Sequence, residues 1–246
     1  MRTESRNGRG LFALRPRAPL DVDLTLQRYR LWGVDPANVY RDGAFYRAAR
    51  LGGRVVPYRL GATGPPGRQA VTVTFGAPDT PATRAAVRAE TRHLLGLDAD
   101  LGGFYALAAR DPVLAPLVRR LPGLRPSVSP DPFEMLVGAI TAQQVNLTFA
   151  FTVRARIVRR FGEAVRFDGV ELFAFPSPAA LAQAEPAALR AMQLTTRKAE
   201  FVVGLARAIA DGALDLAALA RASDAEVVER LTAIRGLGRW TAEWFL

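Results

Sequence analysis

The sequence predicts a small antiparallel α+β domain over residues 1–95, followed by an all-α domain over 96–246. Three observations carry that division. Short β-rich segments set off by glycine turn pairs recur between Phe45 and Phe75. From Asp98 onward, apolar residues recur at helical spacing between Pro and Gly breaks. The last thirty residues read as a helix, a tight glycine turn and a second helix. A chain of 246 residues is long enough to bury two cores.

In chain order, residues 45–50 follow the turn pair Asp42-Gly43, and 54–60 follow Gly52-Gly53. Val71-Thr72-Val73-Thr74-Phe75 alternates as a half-buried strand does. A Gly/Pro loop over 61–69 separates the last two strands, and 81–95 reads as a helix with apolar Ala85, Val87, Ala89, Leu94 and Leu95. Asp131-Pro132-Phe133-Glu134 is a helix start, with Asp as N-cap, Pro at the first helical position and Glu placed for a capping box. Phe133, Leu136, Val137 and Ile140 form its stripe, which lapses into the polar run Thr141-Ala142-Gln143-Gln144-Val145-Asn146. Helices are further expected over 149–161, which carries Arg154, Arg156, Arg159 and Arg160, and over 178–184, 186–192 and 198–210. No internal repeat or low-complexity tract is present.

At the carboxyl end, Ser223 and Glu226 have the spacing of a capping box, and Val227, Val228, Leu231 and Ile234 share one helical face. Arg235-Gly236-Leu237-Gly238 is the tight turn, and Arg239-Trp240-Thr241-Ala242-Glu243-Trp244 opens the next helix. Gly236 and Gly238 permit backbone conformations and close approaches that a Cβ would block, so amides there can point at a phosphate. The competing reading is an ordinary corner of a helical core. Gly236, Gly238 and Thr241 also approximate a dinucleotide loop, but that loop follows a buried strand, whereas 225–234 is helical in pattern.

Composition agrees with a polyanionic partner. Lys and Arg number 33 against 23 Asp and Glu, a net charge of +10, and Lys198 is the only lysine. Arginine joins charge to a planar fork that suits phosphate and stacks on bases, although GC-rich coding produces the same bias. With no cysteine, disulfides, zinc-thiolate sites and iron-sulfur clusters within the chain are excluded. The single histidine, His93, has no G-x-S-x-G elbow to serve and reads as helix surface or local packing. No long apolar run or signal core is seen, so the expectation is a cytoplasmic, nucleoid-associated protein with no membrane partner, a monomer by default.

The chain resembles the DNA-3-methyladenine glycosylase II family of the helix-hairpin-helix DNA glycosylase superfamily. The carriers are Asp131-Pro132-Phe133-Glu134 with the 139–145 segment, Arg197-Lys198-Ala199-Glu200, and above all residues 231–246. Pro19-Leu20-Asp21, Leu95-Gly96-Leu97-Asp98 and Phe104-Tyr105 add to the likeness. The resemblance implies base-excision repair of alkylation damage in double-stranded DNA: after base flipping, the N-glycosidic bond of purines of the 3-methyladenine and 7-methylguanine type is hydrolysed. Gln143 and Gln144 match the family's DNA wedge region, with the inserting member of the pair left open; the bland alternative is two surface glutamines. Trp240 and Trp244, four apart on one helical face, would wall the base pocket, where an indole attracts a desolvated cation by roughly 2 kcal/mol. The alternative is that both rings pack the core. Tyr29 is a weaker candidate for a further wall from the first domain.

By the same resemblance, Arg235, Gly236, Leu237, Gly238 and Thr241 would bind a DNA phosphate. A monovalent cation on the carbonyls of Arg235 and Leu237 and the Thr241 side chain could mediate the contact; no other cofactor and no metal site is implied. Relatives that cut the strand carry a lysine nucleophile where Trp240 stands, so a monofunctional enzyme using water is expected. Lys198 reads as a solvated helix start or a phosphate contact. The family's essential aspartate follows the hairpin by a few helical turns, so the expectation is a helical glycosylase domain truncated at its C-terminus. The catalytic Asp would then lie beyond Leu246, with no catalytic residue inside the chain. Glu243, the only acid after the hairpin, points away from the indoles on this reading. A second reading from another class is a non-catalytic DNA-binding protein that senses alkylated or distorted duplex.

Overall fold

The computed structural model describes residues 8–16 and 19–246. The expectation for the extreme amino terminus therefore lies largely outside the described residues. Contacts divide the chain into two compact units. The first gathers the described residues up to Leu31, Ala37–Pro130 and Val165–Leu172, and the second comprises Trp32–Pro36, Asp131–Ala164 and Phe173–Leu246. Residues 96–130, read from sequence with the helical domain, belong by their contacts to the first unit.

Five strands build the first unit: β1 (Gly10–Leu14), β2 (Asn38–Arg41), β3 (Ala44–Leu51), β4 (Arg54–Thr63) and β5 (Ala70–Phe75). They pair antiparallel in the order β1-β5-β4-β3-β2. Period-2 alternation sends Val71, Val73 and Phe75 of β5 inward with Phe12 and Leu14 of β1. Helices α1 (Val22–Leu26), α2 (Arg28–Leu31), α3 (Pro81–Leu94), α4 (Gly102–Ala108) and α5 (Leu114–Arg120) complete the unit. Between β3 and α3, Arg47 is 2% exposed; its Nε donates to Glu90 Oε1 at 2.9 Å and its Nη1 to Asn38 Oδ1 at 2.9 Å.

The second unit contains α6 (Pro132–Ala142), α7 (Leu147–Phe161), α8 (Pro178–Ala182), α9 (Pro186–Arg190), α10 (Thr196–Ala210), α11 (Leu216–Leu219), α12 (Asp224–Thr232) and α13 (Arg239–Phe245). Helix α6 is its axis, burying Phe133, Leu136, Val137 and Ile140 and packing against α7, α10 and α13. Side-chain oxygens cap the helices: Asp131 accepts from Glu134 N, Asn146 from Phe149 N and Thr195 from Lys198 N. The Glu134 carboxylate takes Arg154 Nη2 at 2.7 Å, while Arg154 Nε donates to Asp35 at 2.9 Å, a charge-assisted pair of bonds.

Between the helices expected over 149–161 and 178–184, in a domain expected to be all-α, lies a β-hairpin, β6 (Glu163–Phe167) and β7 (Val170–Ala174). Asp168 and Gly169 close it with φ of 48° and 74°, the paired positive values of a two-residue hairpin turn. The Asp-Gly pair was a signal for it, identical to Asp42-Gly43, but the surrounding helical periodicity masked it. No helix among the described residues is long and apolar enough to cross a membrane.

Candidate nucleic-acid interface

The capping box at the start of α12 forms as the spacing requires. Ser223 Oγ accepts from Glu226 N, and Glu226 Oε2 accepts from Ser223 N at 2.9 Å. The hydrogen bonds from the Ser223 backbone and then from its hydroxyl hold the Glu226 carboxyl below its ordinary range, with Arg230 adding a smaller effect. Val227 and Leu231 seat this helix in the core. Beyond it, Leu237 N donates to Ile234 O at 3.0 Å and the Leu237 side chain is buried, so the turn is anchored from within.

The two glycines of the turn differ in kind. Gly236 has φ +98°, and a Cβ there would stand 2.4 Å from the Phe201 ring, so backbone conformation and internal packing both demand glycine. Gly238 has φ −102° and is exposed, and a Cβ there would meet nothing within 4 Å. It is the N-cap of α13 and offers no capping side chain. The first amides of α13 therefore gain no intrahelical partner and no cap, and the positive end of the helix dipole faces outward beside a bare backbone. Arg235 and Arg239 flank this point, both exposed.

The two glutamines separate as well. Gln143 ends α6, and its Nε2 donates to Gly236 O at 2.9 Å. Gln144 is exposed, in the left-handed region with φ 54°. Lys198, expected to be solvated or to meet a phosphate, instead turns its ammonium onto the end of α6. Its Nζ donates to Thr141 O at 3.0 Å and to Gln143 O at 2.6 Å. Its partial burial lowers the lysine pKa from the usual value by desolvation. No local pattern in the sequence announces this long-range contact; only the singularity of the lysine hints at it.

Trp240 and Trp244 are 65% and 46% exposed, so they do not pack the core. They stack on each other, with centroids 5.6 Å apart and planes 21° from parallel, which leaves outward faces and no slot between the rings. Thr241 and Ala242, on the opposite side of α13, are buried and seat the helix. Glu243 is taken by Arg239 Nε at 2.7 Å in an exposed i,i+4 pair. Tyr29 is enclosed within the first unit, 5.5 Å from the Phe45 ring, with the Arg28 guanidinium 5.5 Å from its own ring. Phe201, which the sequence offers only as part of the apolar face of the 198–210 helix, lies beneath Gly236 and near the guanidinium groups of Arg197 and Arg235.

A helical unit with a glycine hairpin between two helices, preceded by an antiparallel sheet unit, is a combination shared with known repair proteins. Residues 137–243 match the family model described as HhH-GPD superfamily base excision DNA repair protein, and residues 11–129 match that of the AlkA N-terminal domain. Residues 137–243 are thus similar to HhH-GPD proteins, and residues 11–129 to the AlkA N-terminal domain. The DNA-3-methyladenine glycosylase of Bacillus subtilis is 35% identical over 150 residues, 61% of this chain and 50% of that protein. DNA-3-methyladenine glycosylase 2 of Escherichia coli is 36% identical over 124 residues, 50% of this chain and 43% of that protein. Among solved structures, a 3-methyladenine DNA-glycosylase from Archaeoglobus fulgidus matches with a TM-score of 0.82 at 28% identity, covering 96% of this chain and 78% of its own. The chain thus spans half or less of the length of these two curated relatives.

Proposed function

We propose that this chain acts in base-excision repair as a monofunctional glycosylase, hydrolysing the N-glycosidic bond of alkylated purines in double-stranded DNA. One observation carries the reading. Within a single compact unit, a glycine with open space around it starts a helix, two outward indoles follow on that helix, and an exposed glutamine stands next to the residue bonded to the same turn. The names of the similar proteins in Bacillus subtilis, Escherichia coli and Archaeoglobus fulgidus support the same substrate class.

The chemistry follows from the reach of an enzyme into a stacked duplex. A glycosidic bond there is inaccessible, so the nucleotide rotates out and a side chain fills the gap. The amides after Gly238 hold a phosphate without regard to sequence, and a monovalent cation on the carbonyls of Arg235 and Leu237 would strengthen the grip. Thr241, being buried, contributes by seating α13. Gln144 is the wedge, since Gln143 is engaged with Gly236 O. The everted purine stacks on the indole faces of Trp240 and Trp244, where a positive charge left by alkylation gains about 2 kcal/mol over a neutral base.

When the bond breaks, its electron pair goes to the purine, which departs neutral because it was cationic; water then adds its oxygen to C1′ of the sugar and releases one proton to solvent. A carboxylate would stabilise the positive sugar and orient that water. Glu243 is not assigned this part, because it is engaged with Arg239. The test is incubation of the full-length gene product with methylated duplex. Free 3-methyladenine and 7-methylguanine should appear, with the abasic strand intact until alkali is added. Duplex binding with no base released would refute the reading.

A further inference from the structure

Lys198 is the one lysine of the chain, and its Nζ closes off the carbonyls of Thr141 and Gln143 at the end of α6. Partial burial opposes its charge, and two close carbonyl acceptors offset that cost. The backbone of Gln143 is thus held from α10, while its side chain is held from the turn through Gly236 O. Gly236 in turn lies against Phe201, three residues after Lys198 and so on the same side of α10. These contacts form a closed circuit running from α10 to the end of α6, on to the glycine turn, and back to α10. Gln144 is the residue that leaves this circuit, in a left-handed conformation that costs about 1 kcal/mol or more for a non-glycine residue and persists only where its surroundings enforce it.

We propose that Lys198 and Gln143 are positioning residues, a strut that fixes the distance between the phosphate-gripping turn and the inserting Gln144 so that grip and wedge engage the duplex in register. The proposal rests on the base-eversion reading above. In the absence of the strut, the turn amides still hold the strand, but Gln144 no longer stands at the step being opened. Strand affinity and base eversion, coupled in the native chain, then separate.

The test uses the full chain with Lys198→Met, Lys198→Arg, Gln143→Met and the Lys198→Met/Gln143→Met double variant. Amide hydrogen exchange of the free protein should accelerate by about tenfold in Lys198→Met, both at 143–147 and at 236–238, although Lys198 bonds only the former. Acceleration confined to 143–147 overturns the strut. On a duplex carrying 2-aminopurine beside a lesion analogue, Lys198→Met should lose about fivefold of the fluorescence rise while affinity at fixed salt stays within about twofold. Lys198→Arg, whose guanidinium can donate to both carbonyls, should restore most of it. The double variant should match the worse single variant, since residues in one network are not additive. Independent addition, or eversion and affinity falling in proportion, overturns the proposal. Should Lys198→Met fail to fold, Gln143→Met reads the same coupling with Lys198 in place. A native chain that gives no fluorescence rise counts against base eversion and not against the strut, which the exchange data decide on the free protein.

Discussion

In the first unit, Arg47 is sealed between Glu90 and Asn38, whereas at the turn of the second unit Arg235 and Arg239 face solvent beside uncovered backbone. Both sets of cations contribute equally to the net charge of +10, but their physical roles are opposed. A buried guanidinium is there for its partner; removing it takes a charged donor from a carboxylate that water reaches poorly. An exposed guanidinium by a bare helix start leaves behind only groups that water can solvate, as Glu243 is when Arg239 is removed, so its loss costs the fold little. The lesson is that total charge overstates the nucleic-acid-directed part, and burial identifies which arginines to discount.

That contrast can be broken most directly at Arg47. Arg47→Ala should lower unfolding stability by about 3–5 kcal/mol in denaturant titration, because the buried Glu90 carboxylate loses the guanidinium bonded to it at 2.9 Å. A loss under about 1 kcal/mol would mean that water reaches the site and that the two regions are alike.

The same opposition recurs on a smaller scale within the turn. Gly236→Val forces a positive φ on a branched residue and drives its side chain into Phe201, so it should cost about 2 kcal/mol or more in stability. Gly238→Val meets open space at an ordinary φ and should cost under about 1 kcal/mol, mostly as a poorer N-cap. Its effect should appear instead on DNA, as a roughly tenfold loss of duplex affinity that is equal across sequences. A change in base preference at unaltered affinity would remove the turn from phosphate binding. Trp240→Ala should leave unfolding within about 0.5 kcal/mol, given the exposure of the ring, and should lower base release from methylated duplex.

These pairs also mark how far the sequence can be read. Strands β3 to β5, helices α3 and α6 and the capping box at Ser223 were legible because each depends on residues within a few positions of one another. The turn was legible as a turn, but Gly236 and Gly238 are the same letter. Only the ring of Phe201, thirty-five positions away in sequence, separates a glycine needed inside from one left open outside. The two glutamines are likewise distinguished only by a long-range contact, the hydrogen bond from Gln143 to Gly236 across 93 positions. Lys198 was misread because a lysine at a helix start is usually solvated, and no local pattern reports that an acceptor pair waits at the end of another helix. Hairpin β6–β7 was missed because helical periodicity on both sides outweighed a two-residue turn signal. Locally determined structure was visible, and tertiary contacts decided the rest.

The smallest expected effect concerns the cap that launches the turn. The folded Glu226 carboxyl is held below its ordinary value by Ser223, so the unfolded chain takes up its proton at a higher pH than the folded one. The stabilisation is therefore fully present above the usual glutamate range and fades as pH falls through the lowered folded value. Because the group is exposed, water and salt screen most of this contribution, and the rest of α12 stays packed through Val227 and Leu231. The expected outcome on acidification is faster amide exchange in the first turn of α12, without loss of exchange protection in α6. Ser223→Ala removes the hydroxyl donor to Glu226 and keeps the backbone donor, so the same titration should be flatter in that variant without vanishing. If α12 and α6 lost protection together, the cap would be coupled to the core, and the separation drawn between buried and exposed charge would fail at this end of the turn.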